Sequence, residues 1–403
     1  MVKNCRKTKT EDMDMMLKCF ELVFKLEYCY GIFRYRVNNG RLLPINKMFK
    51  VYPVIIACTY VFLFLYFVGK YFITIINEVH SDYITLIGDA VFILVPVVQY
   101  VTSVIIFLKQ SEKNVHLFKT IAEVDHILNI SNDKCFFKSI HNRIRFEICI
   151  FMIIYTLACI SNGIRENQFL VYQIFLTAID FQIHMEAFAV YIFFKILSYR
   201  LDVLNSHIHN FIIQRNKTPF SVNHKKQKNF YDFNINYIGN ISAENNKLQQ
   251  LSAAYQKIGE ATSLINEIFN AQILISLTSS FTFTIFMIWS SIYDFRRPQP
   301  RYGIFAISIQ TGFEILIIGV MSYICEVLIL KRSKTEVLVN EIVMDYGIPK
   351  RMRIHAKNFM ELIEVWPLQV ITYDLYVIDI KLMLKFMSMS TTYIIVLTQL
   401  FHL

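Results

Sequence analysis

The chain has few of the residues that interrupt helices, with only 11 Gly and 8 Pro among its 403 residues. This scarcity disfavours a β-rich barrel, which needs many turns, and it disfavours a long disordered tract. Charged residues are scarce too, at 18%, whereas soluble globular domains carry about 25%. A hydrophobic share of 55% and a mean hydropathy of +0.40 then favour an all-α membrane protein.

The sequence also lacks the short motifs that carry common chemistry. It contains no phosphate-binding glycine loop, no HExxH helix, no pair of CxxC motifs and no nucleophile elbow. Its eight cysteines lie in apolar stretches or in segments predicted to be cytoplasmic, so reduced thiols are expected rather than disulfides. We therefore predict neither enzymatic activity nor a metal site, and no cofactor.

Apolar stretches long enough to cross about 30 Å of hydrocarbon occur seven times along the chain. A protein with seven transmembrane helices is the predicted fold. The predicted spans are Val51–Ile76, Ile84–Leu108, Phe146–Ile160, Phe169–Leu197, Ala271–Tyr293, Tyr302–Leu330 and Phe386–Leu403.

Lys and Arg are distributed unevenly between the connections. The segment before the first span and three long loops hold 36 of the 41 basic residues. The positive-inside rule places these four segments in the cytoplasm, so the N-terminus is predicted inside and the C-terminus outside. The net charge of +10 is thereby explained by membrane topology, and no nucleic acid partner is predicted.

These spans divide the chain into four parts. The predicted parts are a cytoplasmic N-terminal segment 1–50, a six-helix ligand-binding domain 51–330 with cytoplasmic loops 109–145 and 198–270, a cytoplasmic anchor segment 331–385, and a last helix 386–403.

Periodicity predicts helices in the cytoplasmic parts as well. Met13–Tyr35 is predicted as an amphipathic helix that lies at the interface or docks under the membrane domain. Leu248–Ile268 has helical apolar spacing and should continue into the fifth span. Lys350–Trp366 is predicted as a helix that ends near Pro367, and Arg215–Asn240 as a flexible loop.

Several polar residues lie inside predicted spans, where ionisable groups are costly and are candidates for function. They either hold the bundle together as a buried network or line a ligand pocket with nearby aromatic residues. Asp180 and His184 are four residues apart, so they could form a hydrogen bond on one helix face. The predicted ligand-binding residues are Asp89, Tyr172, Gln173, Thr177, Asp180, Trp289, Phe305, Gln310 and Glu314.

The last span carries a polar arc. On a helix with about 100° per residue, one arc of about 120° contains Ser388, Thr391, Thr392, Thr398, Gln399 and His402, joined by Ile395. Such groups should face protein or water, because hydrocarbon offers them no partners. The arc either packs against neighbouring helices or lines a water-filled path.

The same helix carries the sequence Thr392-Tyr393-Ile394-Ile395-Val396-Leu397-Thr398-Gln399-Leu400. It resembles the signature of insect gustatory receptors, which is Thr-Tyr, five apolar residues and Gln-Phe in the last helix. Thr398 departs from the pattern in the fifth apolar position, and Leu400 replaces the final Phe.

The resemblance implies a ligand-gated non-selective cation channel in the plasma membrane of sensory neurons. It implies a homo- or hetero-tetramer with other gustatory receptors, in which the last helices surround one pore and the cytoplasmic helices form an anchor. Gln399 and Leu400 match the gate positions of the family. The implied pore and gate residues are Ser388, Thr391, Thr392, Ile395, Thr398, Gln399 and Leu400.

The implied ligand is a small-molecule tastant, and membrane lipid is the other expected partner. Sugar receptors of this family resemble one another in having Glu directly after Thr-Tyr, where this chain has Ile394. A bitter or deterrent plant compound is therefore the expected tastant.

Three alternatives remain at this point. An insect odorant receptor shares the fold that the resemblance implies. A secondary transporter is disfavoured because the sequence has no inverted repeat and no pair of spans broken by Gly or Pro. A G-protein-coupled receptor is opposed by the predicted orientation.

Overall fold

The computed structural model describes residues 2–32, 34–38, 41–78, 83–131, 133–165, 170–217, 230–296 and 302–400. Most of these residues are helical, which confirms the all-α prediction. The helices are α1 Val2–Cys29, α2 Val51–Glu78, α3 Tyr83–Ile127, α4 Lys134–Arg165, α5 Leu170–Lys217, α6 Phe230–Arg296, α7 Tyr302–Met344, α8 Lys350–Val365 and α9 Ile380–Leu400. Two short antiparallel hairpins join β1 Arg36–Asn38 to β2 Arg41–Leu43, and β3 Ile371–Thr372 to β4 Tyr376–Val377.

The described parts of the seven predicted spans lie in α2 to α7 and in α9. By length and apolar composition alone, four stretches of described residues could cross a membrane, namely Val51–Lys70, Leu94–Ile127, Asn246–Ile288 and Ser308–Met344. In α3 the backbone leaves helical geometry at Gln110, two residues after the predicted end of the second span at Leu108. The remainder of α3 continues as a helix beyond the bundle.

The helices continue well past the apolar spans at one end of the bundle, which we call the extension end. There the last parts of α3, α5 and α7 and the first part of α6 pack with α1 and α8 around a common hydrophobic core. The predicted helix Leu248–Ile268 is confirmed and continues into the fifth span as α6. The prediction of a loop over Arg215–Asn240 is wrong for residues 230–240, which belong to α6, while residues 218–229 lie outside the described residues.

The N-terminal helix docks on the bundle. Met16, Phe20 and Val23 of α1 are buried, and α1 contacts α3, α4 and α5. After α1, a buried Arg34 forms an ion pair with Glu27. The Arg34 guanidinium also lies 4.7 Å from the ring centroid of Phe107. Of the two possibilities for the predicted helix Met13–Tyr35, the structure therefore shows the helix docked on the bundle. It ends at Cys29.

The helix α8 confirms the prediction for Lys350–Trp366, since it ends at Val365, just before Pro367. Hydrogen bonds connect the segment after α8 to α6. The Tyr255 hydroxyl donates to the carbonyl of Trp366 at 2.7 Å, and Asn266 donates to the carbonyl of Gln369 at 2.9 Å. Burial raises the pKa of the Tyr255 hydroxyl well above its usual range, so the group stays a neutral donor.

A tight turn between β3 and β4 completes this connection. Tyr373 and Asp374 both have positive φ, 47° and 56°, a conformation that is costly for an aromatic residue. The amide of Tyr373 donates to the Asn270 side chain at 2.8 Å, which fixes the turn on α6. The segment between α8 and α9 is thus held at several points.

The predicted division at residues 197, 270 and 330 falls inside α5, α6 and α7, which continue through it without a break. The membrane part and the extension end are therefore connected by continuous helices. The four-part division itself stays a prediction.

Candidate functional site

The last helix begins with a capped N-terminus. The backbone amide of Leu382 donates to the Asp379 carboxylate at 2.8 Å, which satisfies one of the free amides of the first turn. From this point α9 runs along α6 and α7. Phe281 of α6 contacts the rings of Phe386 and Tyr393 edge-on, with 5.5 and 5.8 Å between centroids.

One face of α9 packs on the bundle and the polar arc faces away from it. Among the described side chains of α9, only Ser390 is buried. The sulfur of Met383 packs so closely on Gly319 of α7 that it would lie 3.4 Å from a Cβ at that position. The predicted pore residues Ser388, Thr391, Thr392, Ile395 and Gln399 are exposed, and Thr398 is half-buried. The side chains of Leu400 and His402 lie outside the described residues.

Three hydroxyls of the arc are bonded to their own helix. Thr391 donates to the carbonyl of Met387, Thr392 to that of Ser388, and Thr398 to that of Ile394, at 2.7–3.0 Å. A threonine satisfied in this way keeps acceptor lone pairs free on its outer side. The Gln399 amide has no such local bond, and it is exposed where the arc approaches the end of the helix.

The predicted ligand residues are only partly described. The side chains of Asp89, Tyr172, Gln173, Trp289 and Phe305 lie outside the described residues. Thr177 and Asp180 are half-buried on α5, whereas Gln310 and Glu314 are buried on α7.

A polar cluster forms where α5, α6 and α7 meet. His184 Nε2 lies 3.3 Å from Glu314 Oε1, and the Ser280 hydroxyl donates to Glu314 Oε2 at 2.7 Å. His184 thus pairs with Glu314 on α7 rather than with Asp180, which lies within electrostatic reach on the same helix. Both carboxylate oxygens of Glu314 have partners within the chain, so no other molecule is needed to satisfy them.

Aromatic residues surround the cluster, and the sequence prediction missed them. Tyr155 donates to the carbonyl of Thr177 at 2.6 Å and contacts Phe181. Phe313 lies edge-on to His184 with 5.0 Å between the ring centroids. The only sequence signal for Phe313 is its position next to Glu314, and no spacing pattern in the predicted span around Tyr155 marks that residue as part of a site.

A cavity of about 170 Å³ lies below this cluster, toward the extension end. Each helix contributes residues with the spacing of one helix face. Its lining consists of Glu147, Ile150, Phe151 and Ile154 of α4, His184, Ala187, Phe188 and Tyr191 of α5, and Phe313, Leu316, Ile317, Val320 and Met321 of α7. Among the residues that the structure describes, no group of His, Cys, Asp and Glu side chains is arranged to hold a metal ion.

A sequence profile for 7tm chemosensory receptors matches residues 20–400, nearly the whole chain. The chain belongs to the 7tm chemosensory receptor family. This membership, together with the helices described above, makes the receptor a multi-pass membrane protein with seven transmembrane helices. The resemblance to insect chemoreceptors that was based on Thr392–Leu400 is thereby confirmed for the chemosensory receptor family as a whole.

Solved structures support the same fold. The receptor is similar to the insect olfactory receptor OR5 from Machilis hrabei, with a TM-score of 0.65 and 12% sequence identity over 96% of this chain and 100% of OR5. The structure of OR5 in complex with eugenol gives a TM-score of 0.61 at the same identity and the same coverage. No curated protein matches the receptor by sequence.

Proposed function

We propose that the receptor is a gustatory receptor subunit of a ligand-gated, non-selective cation channel with four subunits around one pore. The orientation of the polar arc of α9 carries this proposal. In a lipid environment the exposed Gln399 amide would have no partner on the outside of a single protomer. Bringing four copies of α9 together turns this unfavourable surface into a polar path for ions and buries it from lipid.

The proposed ligand is a small organic tastant, and a bitter or deterrent plant compound is favoured because Ile394 stands where sugar receptors carry Glu. OR5 in complex with eugenol provides one example of a small organic molecule bound by this fold. The buried aromatic residues around His184 and Glu314 would provide apolar walls with a few polar groups, the usual composition of a small-molecule site.

The proposed orientation puts the N-terminus and the extension end in the cytoplasm, in the plasma membrane of sensory neurons. The basic residues support it, because 36 of 41 fall in the N-terminal segment and the three long loops. Small tastants would then reach the outer half of the membrane domain, and the extension end would act as an intracellular anchor for the tetramer.

Cysteine accessibility tests the pore directly. Thr392→Cys and Gln399→Cys should react with water-soluble thiol reagents and alter the tastant-evoked current, in cells where G-protein signalling is blocked. The matched controls are Ser390→Cys and Ile394→Cys, which lie on the face packed against the bundle and should not react. The exposed native cysteines, such as Cys58 and Cys149, are replaced by Ser in this background.

Equal reaction on both faces, or none on either, would remove the pore assignment. The same cells distinguish a gustatory from an odorant receptor when volatile odorants are included among the compounds applied. Responses to volatiles alone would favour the odorant receptor. A response that disappears with G-protein signalling would contradict the channel itself.

A further inference from the structure

A second, smaller cavity of about 40 Å³ lies between α5, α6 and α7. On α6 its lining runs from Gln272 to Ser280, which is about 12 Å at 1.5 Å per residue. Ile378 also lines it, one residue before the Asp379 that caps α9, so the cavity reaches the point where α9 begins. None of the lining side chains is exposed, so the cavity lies inside the bundle.

Polar side chains line this cavity along one face of α6. Gln272, Ser276 and Ser280 are spaced by four residues, so they lie one above another on that helix. Ser322 of α7 adds a fourth polar side chain to the lining. Polar groups within a membrane span are costly without partners, so the hydrogen bonds of these four side chains decide what the cavity can hold.

Two of the four side chains have hydrogen-bonding atoms that are not used within the chain. Gln272 is 3% exposed and Ser322 is 0% exposed. Among the described residues, none bonds to Gln272 Oε1 or to Ser322 Oγ. Since a buried polar atom without a partner is destabilising, both atoms favour a molecule that can bond to them together.

The other two side chains each keep one capacity free. Ser276 Oγ accepts from Gln99 Nε2 at 2.8 Å, which leaves its own hydrogen for a further partner. Ser280 donates to Glu314 Oε2 at 2.7 Å, which leaves lone pairs on its oxygen. The lining therefore offers Ser276 as a donor, Gln272 and Ser280 as acceptors, and Ser322 as either.

Water matches this lining in size and in charge. A buried water needs at least about 10–15 Å³ and two to four polar partners, and it occupies about 30 Å³ in the liquid. The 40 Å³ here therefore have room for one or two molecules. A bare cation would lack a counter-charge, because the Glu314 carboxylate is already paired with His184 and Ser280.

We propose that this cavity is a hydration site, in which one or two ordered water molecules bridge Gln272 of α6 to Ser322 of α7. The water would donate to Gln272 Oε1 and accept from the Ser322 hydroxyl, and Ser276 and Ser280 would bind it or a second water further along α6. Because Ile378 lines the same cavity, the bridge would join α6 to α7 beside the start of α9. This hydration goes beyond the proposed channel function and does not depend on it.

Electron cryomicroscopy of the purified receptor in lipid nanodiscs, at a resolution that shows ordered water, tests the site directly. Density should appear about 2.7–3.2 Å from both Gln272 Oε1 and Ser322 Oγ. Gln272→Met keeps the approximate size of the side chain without its polar atoms, so this density should disappear. The matched control is Thr284→Val on α6, which lies outside the lining and whose hydroxyl donates to the carbonyl of Ser280 at 2.7 Å. That variant should keep the density.

Thermal unfolding provides an independent measurement. Gln272→Met and Ser322→Ala each remove one end of the bridge, so each should lower the unfolding temperature. The double variant should lower it by clearly less than the sum of the two, because one bridge can be lost only once. Gln272→Met combined with Thr284→Val should instead be additive. If Gln272→Met does not fold, the density in the unaltered receptor decides alone.

A well-resolved cavity without density, a direct bond between Gln272 and Ser322, or additive effects of their two variants would overturn the proposal. A sodium ion is the other occupant to test, by replacing Na⁺ with choline. If this lowers the unfolding temperature of the unaltered receptor but not of Gln272→Met, the site binds a cation and the proposal is wrong.

Failure of the hydration site is distinguishable from failure of the channel. A receptor that shows the bridging water but passes no current keeps the site and contradicts the channel. A receptor with tastant-evoked current and no water density in the cavity does the reverse.

Discussion

The helices α8 and α9 are neighbours in the chain, and both are amphipathic, yet they are completed differently. In α8 the apolar face is buried within the chain through Met352, Ala356, Phe359 and Ile363, and its polar face is turned outward. In α9 the packed face is small and the polar arc lies exposed among apolar surface. The comparison teaches that packing within the chain accounts for the amphipathic pattern of α8, whereas it leaves the polar arc of α9 without a partner on another described element.

Their surroundings explain the difference. The polar side of an extension-end helix can be hydrated, so packing the apolar side is sufficient for α8. For a helix within the membrane the reverse holds. Lipid can cover its apolar sides, but lipid offers no hydrogen-bond partners to its polar side. Substitutions in the two helices should therefore differ in kind, with α8 affecting stability and α9 affecting conduction.

The largest effect is expected for Phe359→Ala in α8. Phe359 is fully buried and contacts Tyr255 edge-on at 5.7 Å, so its truncation leaves a cavity between α8 and α6. Loss of a buried Phe costs about 3–5 kcal/mol of unfolding free energy. Thermal unfolding of the purified receptor should show it, while Ile354→Ala, at an exposed position of the same helix, should change little. Equal effects of the two would contradict the packing of α8.

A smaller effect is expected for Gly259→Ala in α6. A Cβ at this position would lie 2.6 Å from ring atoms of Trp366, so the connection after α8 must shift. Overpacking of this kind costs about 1–3 kcal/mol, which a lower unfolding temperature would reveal. In Gly312→Ala the new Cβ has no heavy atom within 4 Å, and a helical Gly→Ala change there should be neutral or stabilising by about 0.5–1 kcal/mol. The prediction fails if Gly259→Ala behaves like this control.

For Gln399→Ala in α9 the expected change in stability is within about 0.5 kcal/mol, because the side chain is exposed on the surface of the chain. Removing four amides from the proposed pore should instead alter ion selectivity, leak or maximal current. Reversal potentials in mixed cation solutions measure this, with Met389→Ala, at an exposed position outside the arc, as the control. An unfolded Gln399→Ala receptor would mean that the arc is structural packing.

The smallest effect is expected for Thr392→Val. The hydroxyl of Thr392 already donates to the carbonyl of Ser388 at 3.0 Å, so the helix loses one local bond and no contact with another element. Stability should change by no more than about 0.5 kcal/mol, and conductance by less than in Gln399→Ala. Single-channel recordings compare the two variants. A conductance change larger than that of Gln399→Ala would mean that the hydroxyl contacts the ions itself.

The site shows where prediction from the sequence ends. The residues of the α9 arc and the ionisable groups of α5 and α7 were found from their spacing and from the cost of polar groups in lipid. The spacing of four residues would allow His184 to bond to Asp180, but in the structure His184 pairs with Glu314 on α7. Tyr155, Ser280 and Phe313 were not predicted, because nothing in their own segments marks which helix they meet.

The sequence by itself determined the all-α fold, the apolar spans, the ends of α8 and the residues of the polar arc. These features depend on periodicity and composition within about twenty residues, and the fixed geometry of a helix relates that periodicity to structure directly. Only the tertiary structure decided that the arc faces away from the bundle, that Trp366 covers Gly259, and that α4, α5 and α7 leave a cavity between them. Those features depend on contacts between segments that are far apart in the chain, where many pairings satisfy the same pattern and packing selects one.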